Sequence, residues 1–354
     1  MKRTFKVVLV GCGYIAGKVH LPLLTHFKDV KVSAVCDIDK VKASRMAEDF
    51  NVPRIYTDVE TMLEEEEPDL VDVCTPPATH GDILKRSLSL GYPCMVEKPL
   101  TTTTIEADEV IRISKDKGVG LYVLHTYSFL PCVRRARQFI ANNSIGEVIN
   151  VETHYFTSLQ RERYKHSDHW VHKLPGGILN SEITPHLLML LLEFLGDIND
   201  VKVFTYKLSD FPYIFADELR MVLRSTNSVG YLCLSFNSPI LHHSLNIVGK
   251  KGYLSIDFFT NAVVYHKSMP LQTPSSFLRG MWALKDISQR ITSLLLTTTN
   301  VMLGRQKLLM DGHRYLMREC FKSLRGESQY PVDLGKCREV VRLIEFISKN
   351  VQTT

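Results

Sequence analysis

The stretch FKVVLVGCGYIAG, residues 5–17, decides the fold of the N-terminal part of this chain. Its mainly apolar beginning predicts a buried β-strand, and the glycine-rich turn that follows is typical of the entrance to a helix. We expect Gly11 to permit a tight turn, Gly13 to let the backbone approach a phosphate group, and Ala16 to keep the helix close to the sheet. Because a helix N-terminus offers free N–H groups and the positive end of the helix dipole, this order of strand, turn and helix predicts a dinucleotide-binding site.

The segments after this turn supply the context that such a site requires. Short β-branched runs alternate with segments of helical periodicity, which predicts βαβ units and a parallel sheet. The predicted strands are Phe5–Val10, Val30–Cys36, Leu70–Cys74, Pro93–Val96 and Val119–Leu124, and the predicted helices are Lys40–Phe50, Val59–Glu65, Gly81–Leu90 and Thr104–Lys117.

Asp37 stands at the end of the second predicted strand, where a carboxylate accepts hydrogen bonds from the adenosine ribose hydroxyls of a dinucleotide. Its negative charge should repel a 2′-phosphate, so NAD is favoured over NADP. The alternative is an incidental glycine turn followed by a solvated aspartate.

Two further loops are predicted at the carboxyl ends of strands, where ligands bind in parallel sheets of this kind. One is CTPPATH, residues 74–80, and the other is VEKPL, residues 96–100. A lysine at a strand end is commonly only solvated, but the position of Lys98 at the expected cofactor crevice favours a functional role. For His80, a helix-capping or surface role is an equal alternative to a ligand contact. The residues predicted to bind the cofactor are Gly11, Gly13, Tyr14, Ile15, Ala16, Asp37, Thr75, Pro76, His80, Glu97 and Lys98.

Length and composition narrow the class of protein. A chain of 354 residues exceeds the length at which one hydrophobic core usually keeps growing, so two domains are expected. The net charge is +5 without a long Lys/Arg cluster, which argues against a nucleic-acid-binding protein, and no long uncharged apolar run predicts a membrane span. The eight cysteines form no C-x-x-C pair, so we expect buried thiols in a reducing compartment and a cytoplasmic protein.

The motifs together resemble the Gfo/Idh/MocA family of NAD(P)-dependent sugar and polyol oxidoreductases. The resemblance rests on GCGYIAGKVH, CTPPATH, VEKPL, SFLPCVRRARQFIANNSIGEV, GGILNSEITPH and DGHRYLMRECFKSLRGESQYPVD, in this order along nearly the whole chain. It implies an α/β protein with a Rossmann domain over residues 1–124 and a second α/β domain over residues 125–354, built on a large, mainly antiparallel open sheet. It also implies a homodimer or homotetramer, because such a sheet often packs against another subunit in the family.

The same resemblance implies the catalytic residues. Lys98 matches the family lysine that lies near the reacting carbon, His186 matches the family histidine, and Glu182 occupies the position usually held by Asp. A neutral histidine is suited to accept the hydroxyl proton as a hydride leaves for the nicotinamide, a carboxylate to orient that histidine, and an ammonium group to stabilise charge on the oxygen. Pro185 fits the first position of a helix, which predicts Thr184 as the N-cap and leaves Glu182 just outside. The leucine-rich residues that follow predict a buried helix.

Residues 160–173, QRERYKHSDHWVHK, form the most unusual polar stretch. His166, His169 and His172 recur every third residue beside Asp168, and three explanations remain open: a metal site, a solvated loop, and a loop that binds an anionic or nucleotide-linked sugar by charge and stacking. No metal is expected, because the family chemistry needs none. The predicted substrate-binding residues are Lys98, Tyr155, Arg161, Arg163, Trp170, Glu182 and His186.

Residues 270–304 mix apolar and basic side chains, which predicts a helix that packs on a partner or acts as a lid, with attachment to a membrane surface ranked lower.

The sequence as a whole predicts an NAD(P)-dependent dehydrogenase or reductase acting on a secondary alcohol or ketone of a sugar, polyol or nucleotide sugar. The alternative is a dinucleotide-binding regulatory protein that kept the fold and lost the chemistry. That alternative predicts loss of Lys98, His186 or the glycine turn, and all three are present.

Overall fold

The computed structural model describes residues 3–160, 164, 166–180, 182–268, 276–302 and 308–351. The chain divides into two compact units, one formed by Met1–His125 with His313–Glu345 and the other by Thr126–Gly312 with Phe346–Thr354.

A parallel sheet forms the centre of the first unit, with six strands among the described residues. The strands are β1 (Phe5–Val10), β2 (Val30–Cys36), β3 (Arg54–Tyr56), β4 (Leu70–Val73), β5 (Cys94–Glu97) and β6 (Leu121–Leu124). Their order is β3-β2-β1-β4-β5-β6, and all of these neighbours pair in parallel. Because the strand order reverses at the β1–β4 pair, ligands in such sheets bind beyond the carboxyl ends of these strands. The predicted Rossmann topology is confirmed.

The helices of this unit follow the predicted alternation. A π-helical turn at Ala16–His20 leads into α1 (Leu21–Leu24), which is followed by α2 (Lys40–Phe50), α3 (Val59–Glu66), α4 (His80–Ser89) and α5 (Thr104–Lys117). A capping box of Thr103 and Glu106 begins α5, and Gly118 ends it in the left-handed conformation. The predicted bounds of β1, β2, α2 and α5 agree with the structure.

The second unit is built on a sheet with seven strands in the part of the chain that the structure describes. They are β7 (Val148–Ser158), β8 (Ile198–Tyr206), β9 (Glu218–Ser225), β10 (Val229–Ser235), β11 (Asn237–Gly249), β12 (Gly252–Asp257) and β13 (Ala262–Lys267). The order is β13-β12-β11-β7-β10-β9-β8, with β7 and β10 parallel and the other neighbours antiparallel. The predicted large, mainly antiparallel sheet is therefore confirmed.

Helices α6 (Pro131–Ala141), α7 (Thr184–Leu195) and α8 (Ser276–Met302) belong to the second unit. Nearly every residue of α7 is buried, which confirms the predicted buried helix.

Among the described residues, no helix is both long enough and apolar enough to cross a membrane. All eight cysteines are buried and carry free thiols.

Two more helices, α9 (Leu308–Leu324) and α10 (Leu334–Val351), follow along the chain. They contain His313–Glu345, which joins the first unit, whereas the sequence-based division at residue 125 assigned this segment to the second domain. The reason is packing, because the buried Phe321 ring lies 5.5 Å from the rings of both Phe5 and Phe27.

Candidate active site

The glycine turn after β1 is shaped by two different requirements. Gly11 has φ +97°, and a Cβ there would lie 2.8 Å from the backbone carbonyl carbon of Cys74 and the backbone nitrogen of Thr75. Gly13 is exposed, and a Cβ there would meet no protein atom within 4 Å. Gly11 is thus required by the protein itself, whereas the absent side chain of Gly13 leaves open space of the kind that a pyrophosphate needs.

The helical segment behind the turn has the predicted placement. The N–H of Gly17 donates to the Gly13 carbonyl oxygen at 3.2 Å, so the helical turns begin directly at the glycine turn. Ala16 is fully buried against the sheet, whereas Tyr14 is exposed and Ile15 is half-buried. The first N–H groups of a helix have no acceptor within the helix, so they are suited to bind phosphate.

Asp37 lies just after β2, and its carboxylate accepts hydrogen bonds from backbone N–H groups. Its carboxylate accepts the N–H of Cys12 at 2.8 Å and the N–H of Asp39 at 2.9 Å. Asp39 in turn caps α2 by accepting the N–H groups of Val41 and Lys42. Asp37 therefore joins the glycine turn to the end of β2, which orients its carboxylate beside the place where the first crossover begins.

The loop after β4 contains two of the predicted cofactor contacts. Thr75 is half-buried, and its hydroxyl accepts a hydrogen bond from Thr79 at 2.8 Å, while Pro76 is exposed. Since Thr75 also stands next to the required Gly11, this loop and the glycine turn border the same carboxyl-end region of the sheet. These residues fit a bound dinucleotide.

His80 connects two loops instead of presenting its ring to solvent. The ring is buried, with Nδ1 at 2.9 Å from the Pro99 carbonyl oxygen and Nε2 at 2.9 Å from the Thr75 carbonyl oxygen. Burial lowers the pKa of His80, and the charge of Lys98 acts in the same direction. The geometry favours a residue that positions the two loops over one that contacts the cofactor through its ring nitrogens.

Glu97, the last residue of β5, is also held by protein groups. Its Oε1 lies 3.0 Å from Nε2 of His20 and 3.0 Å from Nε2 of His313, and its Oε2 accepts the N–H of Lys98 at 3.3 Å. Burial alone would raise the pKa of Glu97, but the hydrogen bonds from both histidines bring that pKa well below its usual range. The side chain predicted to contact the cofactor is therefore an ionised group inside the protein.

Lys98 and His125 follow directly on neighbouring strands, because Glu97 of β5 pairs with Leu124 of β6. Lys98 is half-buried, and its peptide bond to Pro99 is cis. His125 is buried, and neither ring nitrogen has a hydrogen-bond partner among the described residues. Burial, assisted by the charge of Lys98, lowers the pKa of His125 to about 3. The sequence reasoning assigned no role to this neutral imidazole. Its position directly after β6 is the feature that could have indicated a role, because ligands bind at the carboxyl ends of strands in such sheets.

In the second unit, a pair of left-handed glycines precedes the segment that carries Glu182 and His186. Gly176 has φ +78° and Gly177 has φ +56°. A Cβ on Gly176 would collide with the Asn180 amide, which donates to Ser348 Oγ at 2.6 Å. Helix α7 then begins at Thr184 with Ile183 as its N-cap, one residue before the predicted cap, and Glu182 lies outside the helix as expected.

His186 belongs to a group of stacked rings, which we call the aromatic stack. Its ring lies 4.1 Å from that of Tyr127 at an interplanar angle of 12°, so Tyr127 fixes one face of the imidazole. Tyr127 lies 5.5 Å from His243, and Tyr155 contacts His243 at 5.3 Å. Phe258 covers His243 at 3.7 Å. The structure thus brings the predicted residues Tyr155 and His186 into one aromatic group, and it adds Tyr127 and His243, which the sequence reasoning missed.

Glu182 accepts a hydrogen bond from the hydroxyl of Tyr164 at 3.2 Å, and Tyr164 is buried.

Of the predicted substrate-binding residues in the loop 160–173, Trp170 is half-buried in a 3₁₀ turn, with its ring 5.6 Å from that of His169. Arg161 and Arg163 lie outside the described residues.

The histidines after residue 165 differ in their exposure and contacts. His172 packs edge-on against Tyr213 at 4.9 Å and lies 3.2 Å from the carbonyl oxygen of Tyr164, while His166 is exposed. Among the described residues, the groups close enough together to share a metal ion are instead His20, Glu97 and His313, and His20, Asp72 and Cys74. The spacing of three in this loop therefore does not produce a described metal-binding cluster.

Comparison with known proteins defines the class. Residues 5–125 match the family model of the "Oxidoreductase family, NAD-binding Rossmann fold", and residues 133–255 match the model of the "GFO/IDH/MocA C-terminal domain". The chain belongs to the Gfo/Idh/MocA oxidoreductase family, as its motifs predicted. It is accordingly an NAD(P)-dependent oxidoreductase of the class that acts on CH–OH groups.

Individual relatives are distant. An uncharacterized protein of Saccharomyces cerevisiae is 25% identical over 268 residues, which are 71% of this chain and 73% of that protein. D-glucoside 3-dehydrogenase of Escherichia coli is 29% identical over 143 residues, 40% of this chain and 41% of the relative. The WlbA dehydrogenase of Bordetella pertussis, solved in complex with NADH and UDP-GlcNAcA, has a TM-score of 0.82 at 18% identity and covers 100% of this chain and 97% of its own. At that identity the likeness shows the fold.

Proposed function

We propose that the protein transfers a hydride between the nicotinamide of NAD and a secondary alcohol or ketone of a sugar, polyol or nucleotide sugar. The observation that carries the proposal is the placement of Lys98 at the carboxyl end of β5, in the same sheet whose β1 ends in the glycine turn. The bound cofactor supplies the hydride acceptor, while the chain supplies orientation and proton handling.

The catalytic roles follow from the chemistry of each side chain. The Lys98 ammonium donates a hydrogen bond to the reacting oxygen and stabilises negative charge there. His186, held by the Tyr127 ring, exchanges the hydroxyl proton, and Glu182 favours the protonated imidazole through its negative charge. The bond from Tyr164 to Glu182 supports a fixed carboxylate in place of a freely rotating one.

The preference for NAD over NADP rests on Asp37. Its carboxylate is fixed by two backbone N–H groups, so its negative charge stays where a 2′-phosphate would have to lie. The other proposed cofactor contacts are Gly11, Gly13, Tyr14, Ile15, Ala16, Thr75 and Pro76. His80 and Glu97 support the cofactor site by holding the backbone of the loops after β4 and β5.

The substrate class is supported by the relatives and by the ring-rich second unit. D-glucoside 3-dehydrogenase is a sugar dehydrogenase by name, and WlbA was solved with a nucleotide sugar. Aromatic faces bind the apolar faces of sugar rings, and arginines bind phosphate or carboxylate groups in a bidentate manner. We therefore assign substrate contacts to Tyr155 and Trp170, and to Arg161 and Arg163 if the sugar is anionic.

A homodimer or homotetramer is also proposed. Apolar side chains stand exposed on the edge strand β8 and on its neighbour β9, with Phe204 56%, Tyr206 62% and Val222 39% exposed. Exposed apolar groups of this size on one sheet are typical of subunit interfaces. Light scattering of the purified chain tests the assignment, since a monomer at micromolar concentration would contradict it.

The activity test measures NADH absorbance with a panel of sugars, polyols and nucleotide sugars, with NAD and NADP compared in parallel. Lys98→Ala and His186→Ala are each expected to lower kcat by about 100-fold or more, because each removes a group that acts on the reacting oxygen or its proton. A double variant that keeps wild-type turnover would exclude these catalytic roles. Activity with NADP equal to that with NAD would exclude the role of Asp37.

The cofactor site has its own matched pair of variants. Gly13→Ala is expected to change the free energy of unfolding by less than about 0.5 kcal/mol, because the new Cβ meets no protein atom, yet to weaken NADH binding strongly. Gly11→Ala is expected to destabilise the fold itself by about 2 kcal/mol or more, because its Cβ meets the backbone of Cys74 and Thr75. Urea unfolding and NADH fluorescence titration separate the two effects. Unchanged NADH affinity in Gly13→Ala would remove the turn from the cofactor site.

A further inference from the structure

Three buried histidines surround the short segment that carries Lys98. His20 is fully buried in the π-helical turn after the glycine turn, His80 is fully buried at the start of α4, and His313 is 8% exposed on α9. None of them has a role in the hydride transfer described above. π-Helical turns are frequent at functional sites, which directs attention to His20.

The histidines hold the residues on both sides of Lys98. On one side, Oε1 of Glu97 lies 3.0 Å from Nε2 of His20 and 3.0 Å from Nε2 of His313. On the other side, Nδ1 of His80 lies 2.9 Å from the Pro99 carbonyl oxygen. Lys98 therefore stands between two residues that buried histidines contact.

The hydrogen positions around His20 follow from its partners. Its Nδ1 lies 2.8 Å from Oδ2 of Asp72, and its Nε2 faces Glu97. Because an ionised carboxylate only accepts hydrogen bonds, each ring nitrogen donates a proton, and His20 is an imidazolium between two carboxylates. Burial lowers the pKa of His20, but the charge and hydrogen bond of Asp72 outweigh burial and raise the pKa well above its usual value. The thiol of Cys74, 3.1 Å from Nδ1, completes the surroundings of this nitrogen.

We propose that His20, Glu97 and His313 form a clamp that positions Lys98, which rests on the proposed function for what Lys98 does. The link is the second carboxylate oxygen of Glu97, which accepts the Lys98 N–H at 3.3 Å. Fixing the Glu97 side chain therefore fixes the backbone from which the flexible lysine side chain extends. A catalytic group needs such a rigid base, because a displacement of about 1 Å at the reacting atoms can cost roughly 100-fold in rate.

Folding alone does not require this arrangement. Buried charges are costly to desolvate, and apolar residues of similar volume are often neutral or stabilising in their place. The clamp also uses α9, a helix from the far end of the chain, to contact the residue before Lys98. The groups are thus concentrated around one proposed catalytic residue at an energetic cost that a purely structural contact would avoid.

Bound metal is the competing explanation, since donor atoms of His20, Glu97 and His313 lie close enough together to share an ion. Both nitrogen–oxygen separations equal 3.0 Å, the usual length of an N–H···O hydrogen bond. Elemental analysis of the purified chain decides the matter. One tightly held zinc or other transition metal per chain would overturn the clamp.

The clamp is tested in the full chain with His313→Gln and His313→Leu. The amide of Gln retains an N–H donor near the position of Nε2, whereas Leu removes it while keeping an apolar side chain of comparable size. His313→Leu is expected to lower kcat by about 10- to 100-fold with little change in KM, and His313→Gln to recover most of that loss. The deuterium isotope effect on kcat should rise in His313→Leu, because hydride transfer becomes slower relative to the other steps.

A second measurement does not depend on activity. Acylation of lysines by a mild reagent, followed by mass spectrometry, reports the accessibility and reactivity of the Lys98 amine, with the exposed Lys117 as an internal reference. We expect labelling of Lys98 to rise about threefold in His313→Leu and to match wild type in His313→Gln, because the Leu variant frees the backbone at residue 98. If His313→Leu does not fold, Glu97→Gln replaces it, and the same rise is expected.

The two proposals fail in distinguishable ways. Absence of NAD-dependent turnover on every substrate would contradict the proposed function, but the labelling result would still report on the clamp. Equal labelling of Lys98 in wild type and in His313→Leu would overturn the clamp even if the enzyme is active.

Discussion

At the scale of single residues, His243 connects the structure to a measurable acid sensitivity. Its ring is buried in the second unit and stacks on Phe258 at 3.7 Å. Burial, followed by the charge of His242, lowers its pKa to about 3. The folded chain therefore keeps this imidazole neutral over a pH range in which an unfolded chain, with an ordinary histidine pKa of about 6.5, protonates it.

We predict that His243→Phe makes the protein less sensitive to acid. Between pH 6.5 and about 3 the unfolded state binds one more proton at residue 243 than the folded state, so the wild-type free energy of unfolding falls as the pH falls. From pH 7 to pH 5 this single group contributes a loss of about 2 kcal/mol, which Phe abolishes. Urea unfolding at both pH values measures the difference. The exposed His26 provides the control, and an identical pH dependence in wild type and His243→Phe would contradict the prediction.

Residues whose role depends on near neighbours in the sequence could be assigned before the structure was known. Gly11, Ala16 and Asp37 lie in one strand–turn–helix–strand segment, so spacing alone indicated where each would stand. His20 and His313 could not be assigned in this way, because Glu97 and His313 are 216 positions apart and only the folded chain brings them together. For the same reason, His80 and Glu97 were predicted as cofactor contacts, whereas their side chains are engaged by other groups of the protein.

At the scale of elements, the glycine pair before α7 determines how the helix carrying His186 is entered. We predict that Gly176→Ala is more damaging than Gly177→Ala, although both residues have positive φ. A Cβ at position 176 collides with the Asn180 amide and lies 3.1 Å from Ser348 Oγ, whereas a Cβ at position 177 meets nothing within 4 Å.

The expected cost of Gly177→Ala is about 1–2 kcal/mol of unfolding free energy from backbone strain alone, and that of Gly176→Ala is larger. Urea unfolding of both variants, measured side by side, gives the order. An equal loss in the two variants would show that backbone strain, and not the Asn180 contact, sets the cost.

The elements that could be read from the sequence are those with a strong internal pattern. Helices α2 and α5 have clear caps at Asp39 and Thr103, and β1 and β2 are β-branched runs, so their bounds were predicted correctly. Strand β3 was missed because it has only three residues, of which two are exposed and carry no apolar alternation.

At the scale of the whole molecule, the late helix α9 is part of the first unit's core through Phe321. We predict that Phe321→Ala lowers the free energy of unfolding by about 3–5 kcal/mol, because the ring is 2% exposed and packs on both Phe5 and Phe27. Phe259→Ala is the matched control, since that ring is 45% exposed, and it should cost much less. A similar loss from the two substitutions would contradict the assignment of α9 to this core.

The division of the chain between residues 124 and 125 was implied by the family resemblance. The return of His313–Glu345 to the first unit was not, because no local pattern states which of two sheets an amphipathic helix will cover.

This discontinuity has a consequence for synthesis on the ribosome. The glycine turn, Asp37 and Lys98 are all made early, but Phe321, which packs on Phe5 and Phe27, and His313, which contacts Glu97, are made only after the entire second sheet. At roughly 5–20 residues per second, the nascent first sheet waits on the order of ten seconds or more with part of its apolar surface uncovered. Because Phe346–Thr354 belongs to the second unit, neither unit has all of its residues until the last helix has been made.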